Sequence, residues 1–288
     1  MWDLNHVDNY PLLSNQNSNS HLGNYKKILK NYLPINLKND FKKNNLVGSV
    51  HIEAGWKEDS AIDEVKWLQK IIKNSNFETV IVAYAKLDDP NIENYLNNLI
   101  NFKCVKGIRM RLVENINDLK VGDNLLNNSN WLKGFKILKN YKYSFELQAS
   151  YRISSDVYNF IKKNDDTKII ISHAAFPNYE NSEEKKEWMK FIEKISFFNN
   201  VHLKISGIPM MFKSLNISEM NFIINHCINI LGPDKLIFGS NLPIEKIFCN
   251  SDDLIKAYYD IFNTFGKENF YKITYKNAKK FYDFINKS

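Results

Sequence analysis

Arginine is almost missing from this chain. Among 39 basic residues in 288, only Arg109, Arg111 and Arg152 are arginine, and all three lie in the middle third. Cysteine is equally sparse. Cys104, Cys227 and Cys249 are odd in number and widely spaced, which excludes a disulfide framework and a zinc knuckle and fits a reducing, cytoplasmic setting. No run of about 18 apolar residues occurs, so no membrane span is expected. The opening Met1-Trp2-Asp3-Leu4 lacks the basic start and apolar stretch of a signal peptide. No glycine-rich phosphate loop follows any strand-like run, against a Rossmann fold or P-loop. The net charge of +7 is spread over lysines with no basic stripe, so nucleic acid is not an expected partner.

What the chain does have is alternation. Apolar strand-like runs at 46–54, 79–85, 105–112, 144–148, 169–171, 200–207 and 235–241 are separated by stretches with helical spacing. A helix is expected at 24–32, ended by Pro34, and another from Ser60, read as its N-cap, to Lys73. Further helices are expected at 92–102, 128–139, 154–164, 183–197, 218–231, 252–265 and 268–285. Strand–helix alternation implies parallel strands with crossover helices. The reading is one domain over 1–288: an N-terminal loop and short helix over 1–45, then a barrel over 46–288. Seven strands are one short of a closed (β/α)8 barrel, and the shortage lies at the start.

In such folds ligands bind at the carboxyl ends of the strands. The run Ile169-Ile170-Ile171 ends on Ser172-His173 and then Pro177. The run Lys235 to Phe238 ends on Gly239-Ser240-Asn241 and then Pro243. His173 is therefore a candidate to polarise a carbonyl or relay a proton, the alternative being a satisfied core histidine. Arg109 and Arg111 share a face by period two. They either clamp a substrate carboxylate bidentately or pair internally with Glu53 or Glu146. His51 and Glu53 either face a ligand or form a buried pair. Gln148 could orient a hydroxyl or a water, and Tyr84 could donate to substrate or pack in the core. Arg152 follows in the next loop. Asn241 is neutral, hence neither a base nor a strong metal ligand, and it could orient an attacking water or an oxyanion. His202 and His226 are expected to be structural.

Several segments in order carry a family resemblance: Trp2-Asp3 with Tyr10-Pro11-Leu12-Leu13, His51-Ile52-Glu53-Ala54, Trp67-Leu68 and Gly107-Ile108-Arg109. His173 to Pro177, Val201 to Gly207, Phe238 to Pro243 and Asn277-Ala278 continue it. The chain resembles the amidohydrolase-related proteins of the TIM-barrel metal-dependent hydrolase group, which includes sugar-lactone and pyrone-dicarboxylate lactonases. The resemblance implies a hydrolase that opens a lactone of a sugar acid or carboxylated ring. His173, Arg109 and Asn241 would be catalytic, with Arg111, Gln148, His51, Tyr84 and Arg152 binding an anionic small molecule. The alternatives are a metal-dependent amide hydrolase or non-oxidative decarboxylase, and a non-catalytic barrel that binds an anionic metabolite. The family usually opens on a strand ending in His-x-His. No His-x-His occurs here, and Met1 directly abuts Trp2-Asp3, so an upstream start is expected. Asn241 stands where many relatives carry Asp. Without the paired histidines, no metal ligands are assigned and no cofactor is required in the favoured reading, with zinc or manganese as the alternative. Open barrel edges also make a homo-oligomer an expectation.

Overall fold

A computed structural model describes residues 1–14, 23–112, 118 and 120–284. Seven parallel strands form one curled sheet in sequence order: β1 (Gly48–Ile52), β2 (Glu78–Tyr84), β3 (Val105–Arg109), β4 (Ser144–Leu147), β5 (Ile169–Ile171), β6 (Val201–Ile205) and β7 (Leu236–Phe238). Helices pack outside, and the arrangement is a TIM-type barrel in which β1 and β7 are the two edges. No helix among the described residues is long and apolar enough to cross a membrane.

The strands read as continuous apolar runs because both of their faces are covered. Two separate apolar clusters show this. Ile81, Ala83, Phe145, Leu147, Ile169, Ile171, Leu203 and Leu236 pack outward against the helices. Val80, Val82, Ile170 and Ile237 pack inward, joined by Phe281 and Tyr282 from the chain's end. Register carries this inward face around the sheet: Val82 pairs with Gly107, Gly107 with Ser144, Glu146 with Ile170, and Lys204 with Ile237.

Asparagine, abundant here, starts many of the helices. Asn128, Asn181, Asn216 and Asn250 cap helices Ser129–Lys139, Ser182–Ser196, Ile217–Leu231 and Ser251–Asn263, each side-chain oxygen accepting from backbone N–H groups of the first turn. Ser60 does not cap the helix Ala61–Ile72; its hydroxyl donates to Asp59 instead. The helix expected at 24–32 is a single tight turn, Lys26–Ile28. Pro34 opens a helix, Pro34–Asp40, rather than closing one. Proline's fixed φ suits the first helical position, where its missing N–H has no partner to lose. The Asn36 side chain completes that start by accepting from Leu33 N–H at 2.9 Å.

The last helical stretch, Lys267 to Phe281, contains a widened turn at Lys272–Lys276. Asn277 pins it by donating to the carbonyls of Pro233 (2.7 Å) and Leu236 (2.8 Å) at the foot of β7. Phe284 lies against Gly48 at the foot of β1, where an added Cβ would stand 3.0 Å from the ring. Between these anchors Tyr282 enters the barrel and donates to Glu146 Oε1. The chain's end therefore forms a floor that reaches from one edge strand to the other. Ile285, the last residue of the helix expected from sequence, lies outside the described residues.

Glu146 is fully buried. Besides Tyr282 it accepts from Lys204 Nζ at 2.6 Å and from Ser172 Oγ at 3.2 Å, both on Oε2. Burial lowers the Lys204 pKa, against the pull of Glu146. Breaking such a pair from one side strands a charge. Lys204→Met should therefore lower unfolding free energy by about 3–5 kcal/mol, whereas Tyr282→Phe, which leaves two donors in place, should lose about 1–3 kcal/mol. Chemical denaturation monitored by tryptophan fluorescence measures both, and equal losses would contradict this ranking. Gly134 gives a second check. A Cβ there would lie 1.7 Å from the Leu87 carbonyl oxygen, so Gly134→Ala should destabilise by about 3 kcal/mol or more.

Candidate active site

The polar groups at the carboxyl ends of the strands converge. Arg109, Gln148, Ser172, His173, Ser206 and Asn241 line one cavity of about 1550 Å³. Small-molecule sites are usually about 300–1,000 Å³. This one is larger because it runs on into the groove between β1 and β7, past Tyr271, Thr274 and Tyr275.

His173 sits on unusual backbone. Residues 173 to 176 all have positive φ, at 54°, 49°, 59° and 53°. Non-glycine residues pay for that conformation, and a run of four is held only by its surroundings. Trp188 Nε1 donates to the Ala174 carbonyl at 2.8 Å from the helix Ser182–Ser196. The turn aims the imidazole at β6, where Nδ1 lies 3.0 Å from Ser206 Oγ. Gly207 leaves room for it, since a Cβ there would stand 2.5 Å from His173 Nδ1. A hydrogen bond at one ring nitrogen sets which tautomer the other presents.

Arg109 ends β3 with its guanidinium tied down. Nε donates to Glu53 Oε1 and Nη2 to the Glu53 carbonyl, both at 2.7 Å, and Gly55 N–H donates to Glu53 Oε2 at 2.8 Å. Of the two sequence-based alternatives for this residue, the internal ion pair is present, and the arginine still lines the cavity. Arg111 is exposed at the cavity mouth above Gly55. Gln148 is half-buried, and its Oε1 is sealed from solvent with no hydrogen-bond partner among the described residues. Buried amide oxygens are normally paired, so this one marks a place for a ligand donor. Asn241, with φ of 53°, presents its amide to the same cavity. Its Nδ2 donates to Glu245 Oε1 at 2.8 Å.

Of the expected binding residues, Tyr84 and Arg152 lie off the cavity, while His51 lines it but turns its ring nitrogens to other partners. His51 faces outward, because alternation on β1 turns Val50 and Ile52 inward. Its Nδ1 is 2.9 Å from the Met1 nitrogen and its Nε2 3.5 Å from Glu64 Oε1. Burial lowers the His51 pKa and raises that of Glu64 to about 7. Tyr84 is buried and does not line the cavity. Its carbonyl accepts from Tyr95 OH at 2.8 Å. Arg152 also lies off the cavity: it pairs with Glu184 at 3.0 Å on an outer helix and stacks over Tyr151. These placements have one cause. Spacing along a strand gives parity, but the twist at a strand end and the partner across it decide where a side chain goes.

Sequence reasoning passed over Lys204, Glu146 as its partner, Ser206 and Glu245. Lys204 and Glu146 carried a signal, since both are charged residues inside apolar strands. Glu245 carried none beyond its spacing four residues after Asn241.

A family model described as amidohydrolase matches residues 80–284. The uncharacterized protein y4mH of Sinorhizobium fredii is 27% identical over 285 residues, spanning 98% of this chain and 95% of that one. Among solved structures, an amidohydrolase from Burkholderia multivorans with bound zinc superposes with a TM-score of 0.80 at 16% identity, covering 97% of this chain and 95% of its own. A probable 2-pyrone-4,6-dicarboxylic acid hydrolase from Acinetobacter baumannii with citric acid bound does so at 0.70 and 17%, covering 88% and 90%. Among the described residues no three His, Cys, Asp or Glu side chains gather as a metal-holding set. Zinc sites need about three protein ligands, so the described residues do not fit that ion. The match over most of the chain, on a barrel whose strand ends carry His173, Arg109 and Asn241 into one cavity, places this protein in the amidohydrolase family as a hydrolase-type enzyme.

Proposed function

We propose that this hydrolase opens a lactone, the cyclic ester of a sugar acid or of a carboxylated ring. The observation that carries the reading is the pairing of cationic and neutral polar groups at one cavity: Arg109, Arg111 and Lys204 with His173, Gln148 and Asn241. The cations suit an anionic substituent on the ring. Arg111, exposed and planar, meets it bidentately, and Arg109, locked by Glu53, supplies a fixed charge behind it. Water attacks the lactone carbonyl carbon. The His173 imidazole polarises the carbonyl oxygen, and collapse of the tetrahedral intermediate breaks the ring C–O bond. The leaving alkoxide takes the proton that the attacking water gives up, and the product is an open hydroxy acid. Asn241 orients the water and Gln148 a ring hydroxyl. A structure of the same fold that holds zinc supports the second reading, a metal-dependent amide hydrolase or decarboxylase, whereas no three His, Cys, Asp or Glu side chains gather among the described residues here.

Ring opening releases acid, so a pH indicator follows it across sugar-acid lactones and carboxylated pyrones. His173→Ala should lower kcat/KM by on the order of 10²–10⁴. Arg111→Ala should raise KM roughly 10-fold or more with kcat nearly unchanged, because an anion clamp binds ground and transition states alike. Turnover insensitive to both substitutions would reject the assignment.

A further inference from the structure

Glu245 is fully buried just beyond the cavity wall, on the turn Ile244–Ile247 that follows β7. Its backbone N–H donates to the Asn241 carbonyl at 3.3 Å, closing a loop back onto the residue it supports. Oε1 accepts from Asn241 Nδ2 at 2.8 Å, and the Met210 backbone N–H also faces the carboxylate. No Lys, Arg or His forms an ion pair with it among those residues. The titratable groups that face it are Tyr258, from the helix Ser251–Asn263, and Cys249, one turn on. Burial raises Tyr258 well above the usual phenol range and Cys249 to about 12, so neither ionises near neutrality. From the other side Met210 Sδ lies 3.9 Å from Asn241 Nδ2, a contact too weak to orient an amide.

An asparagine amide has two nearly isosteric ends, one that donates and one that accepts. Left alone, it could turn either end toward substrate. A carboxylate is acceptor-only, so it can engage only Nδ2. We propose that Glu245 is a positioning residue: its buried carboxylate holds the Asn241 amide with Nδ2 turned away from the cavity, so that Oδ1 is the atom offered to the attacking water. An acceptor there takes a proton of the water in a hydrogen bond and directs a lone pair at the carbonyl carbon. A donor there would occupy that lone pair. The water-orienting role of Asn241 rests on the lactone-hydrolase reading, while the orientation of the amide does not.

Burial raises the Glu245 carboxyl to about 7, against the lowering effects of the Asn241 side chain and the Met210 backbone N–H. Below that pH the protonated acid becomes a donor and can accommodate either end of the amide. Above it only one orientation remains. Activity should therefore rise with pH through a single ionisation near 7 and then level.

The test has two arms. In uniformly 15N-labelled wild-type protein, the Asn241 side-chain amide, assigned by its loss in Asn241→Ala, is followed from about pH 5.5 to 8.5. Its two proton shifts should move with one midpoint near 7 and should not titrate in Glu245→Gln. An amide that stays put in the wild type overturns the proposal whatever the substrate, and that outcome is read on the wild type without any variant at position 245. In the second arm, on any lactone turned over in the survey above, Glu245→Gln should lower kcat by on the order of 10²-fold with KM little changed, and should lose the acid limb of the kcat profile. An acid limb that survives in a folded Glu245→Gln variant also overturns it. If no lactone is turned over but the amide titrates, the reaction assignment fails and the positioning role stands.

Discussion

A fully buried carboxylate is costly unless it gathers partners, and Glu146 is where this barrel gathers the most. Its partners come from separate parts of the chain: Lys204 on β6, Ser172 after β5, and Tyr282 beyond the last helix. Lys204 lies over β7 because Gly239 has no side chain to block it; a Cβ there would sit 3.2 Å from the lysine stem. One carboxylate on β4 thus ties three strands and the chain's end to a common point. Such ion pairs contribute more to the uniqueness of an arrangement than to its net stability. Here the uniqueness matters because Ser172 is the residue before His173. The floor of the barrel and the chemistry above it are linked through a single peptide bond.

The site itself is made where local backbone rules are broken. His173 to Phe176 and Asn241 all lie in the left-handed region. Non-glycine residues there are uncommon and cluster at functional positions. The surroundings that hold them are specific: Trp188 under the first turn, absent atoms at Gly207, and the Glu245 carboxylate behind Asn241. Each supports one polar group in a fixed orientation, which is the property an enzyme that orders a water molecule requires.

Arginine usage follows the same logic. Glu53 accepts from both the Nε and Nη2 of Arg109, a forked geometry that an ammonium cannot copy. Arg152 uses its guanidinium on the outside, bridging Glu184 and the Asn178 carbonyl. Rarity in the composition therefore flagged planar, multidentate contacts, and did not distinguish a contact to substrate from one internal to the protein.

Alternation of apolar runs and amphipathic stretches determined the fold class without any structure. A chain of this length can bury seven double-sided strands only as a parallel sheet wrapped by helices. The polar tips at His173, Gln148 and Asn241 were legible for the same reason, since a polar residue ending a buried strand has one end of the barrel to face. Pairings between particular side chains were not legible. That His51 turns outward to Glu64, that Tyr282 crosses the barrel to Glu146, and that Glu245 holds Asn241 depend on strand twist, on the missing side chains of Gly207 and Gly239, and on where the last helix lands. Their separations run from four residues, for Asn241 and Glu245, to 136, for Glu146 and Tyr282. Sequence periodicity is a local quantity and encodes which face a side chain takes, whereas the partner waiting on that face is decided only when the barrel closes around it.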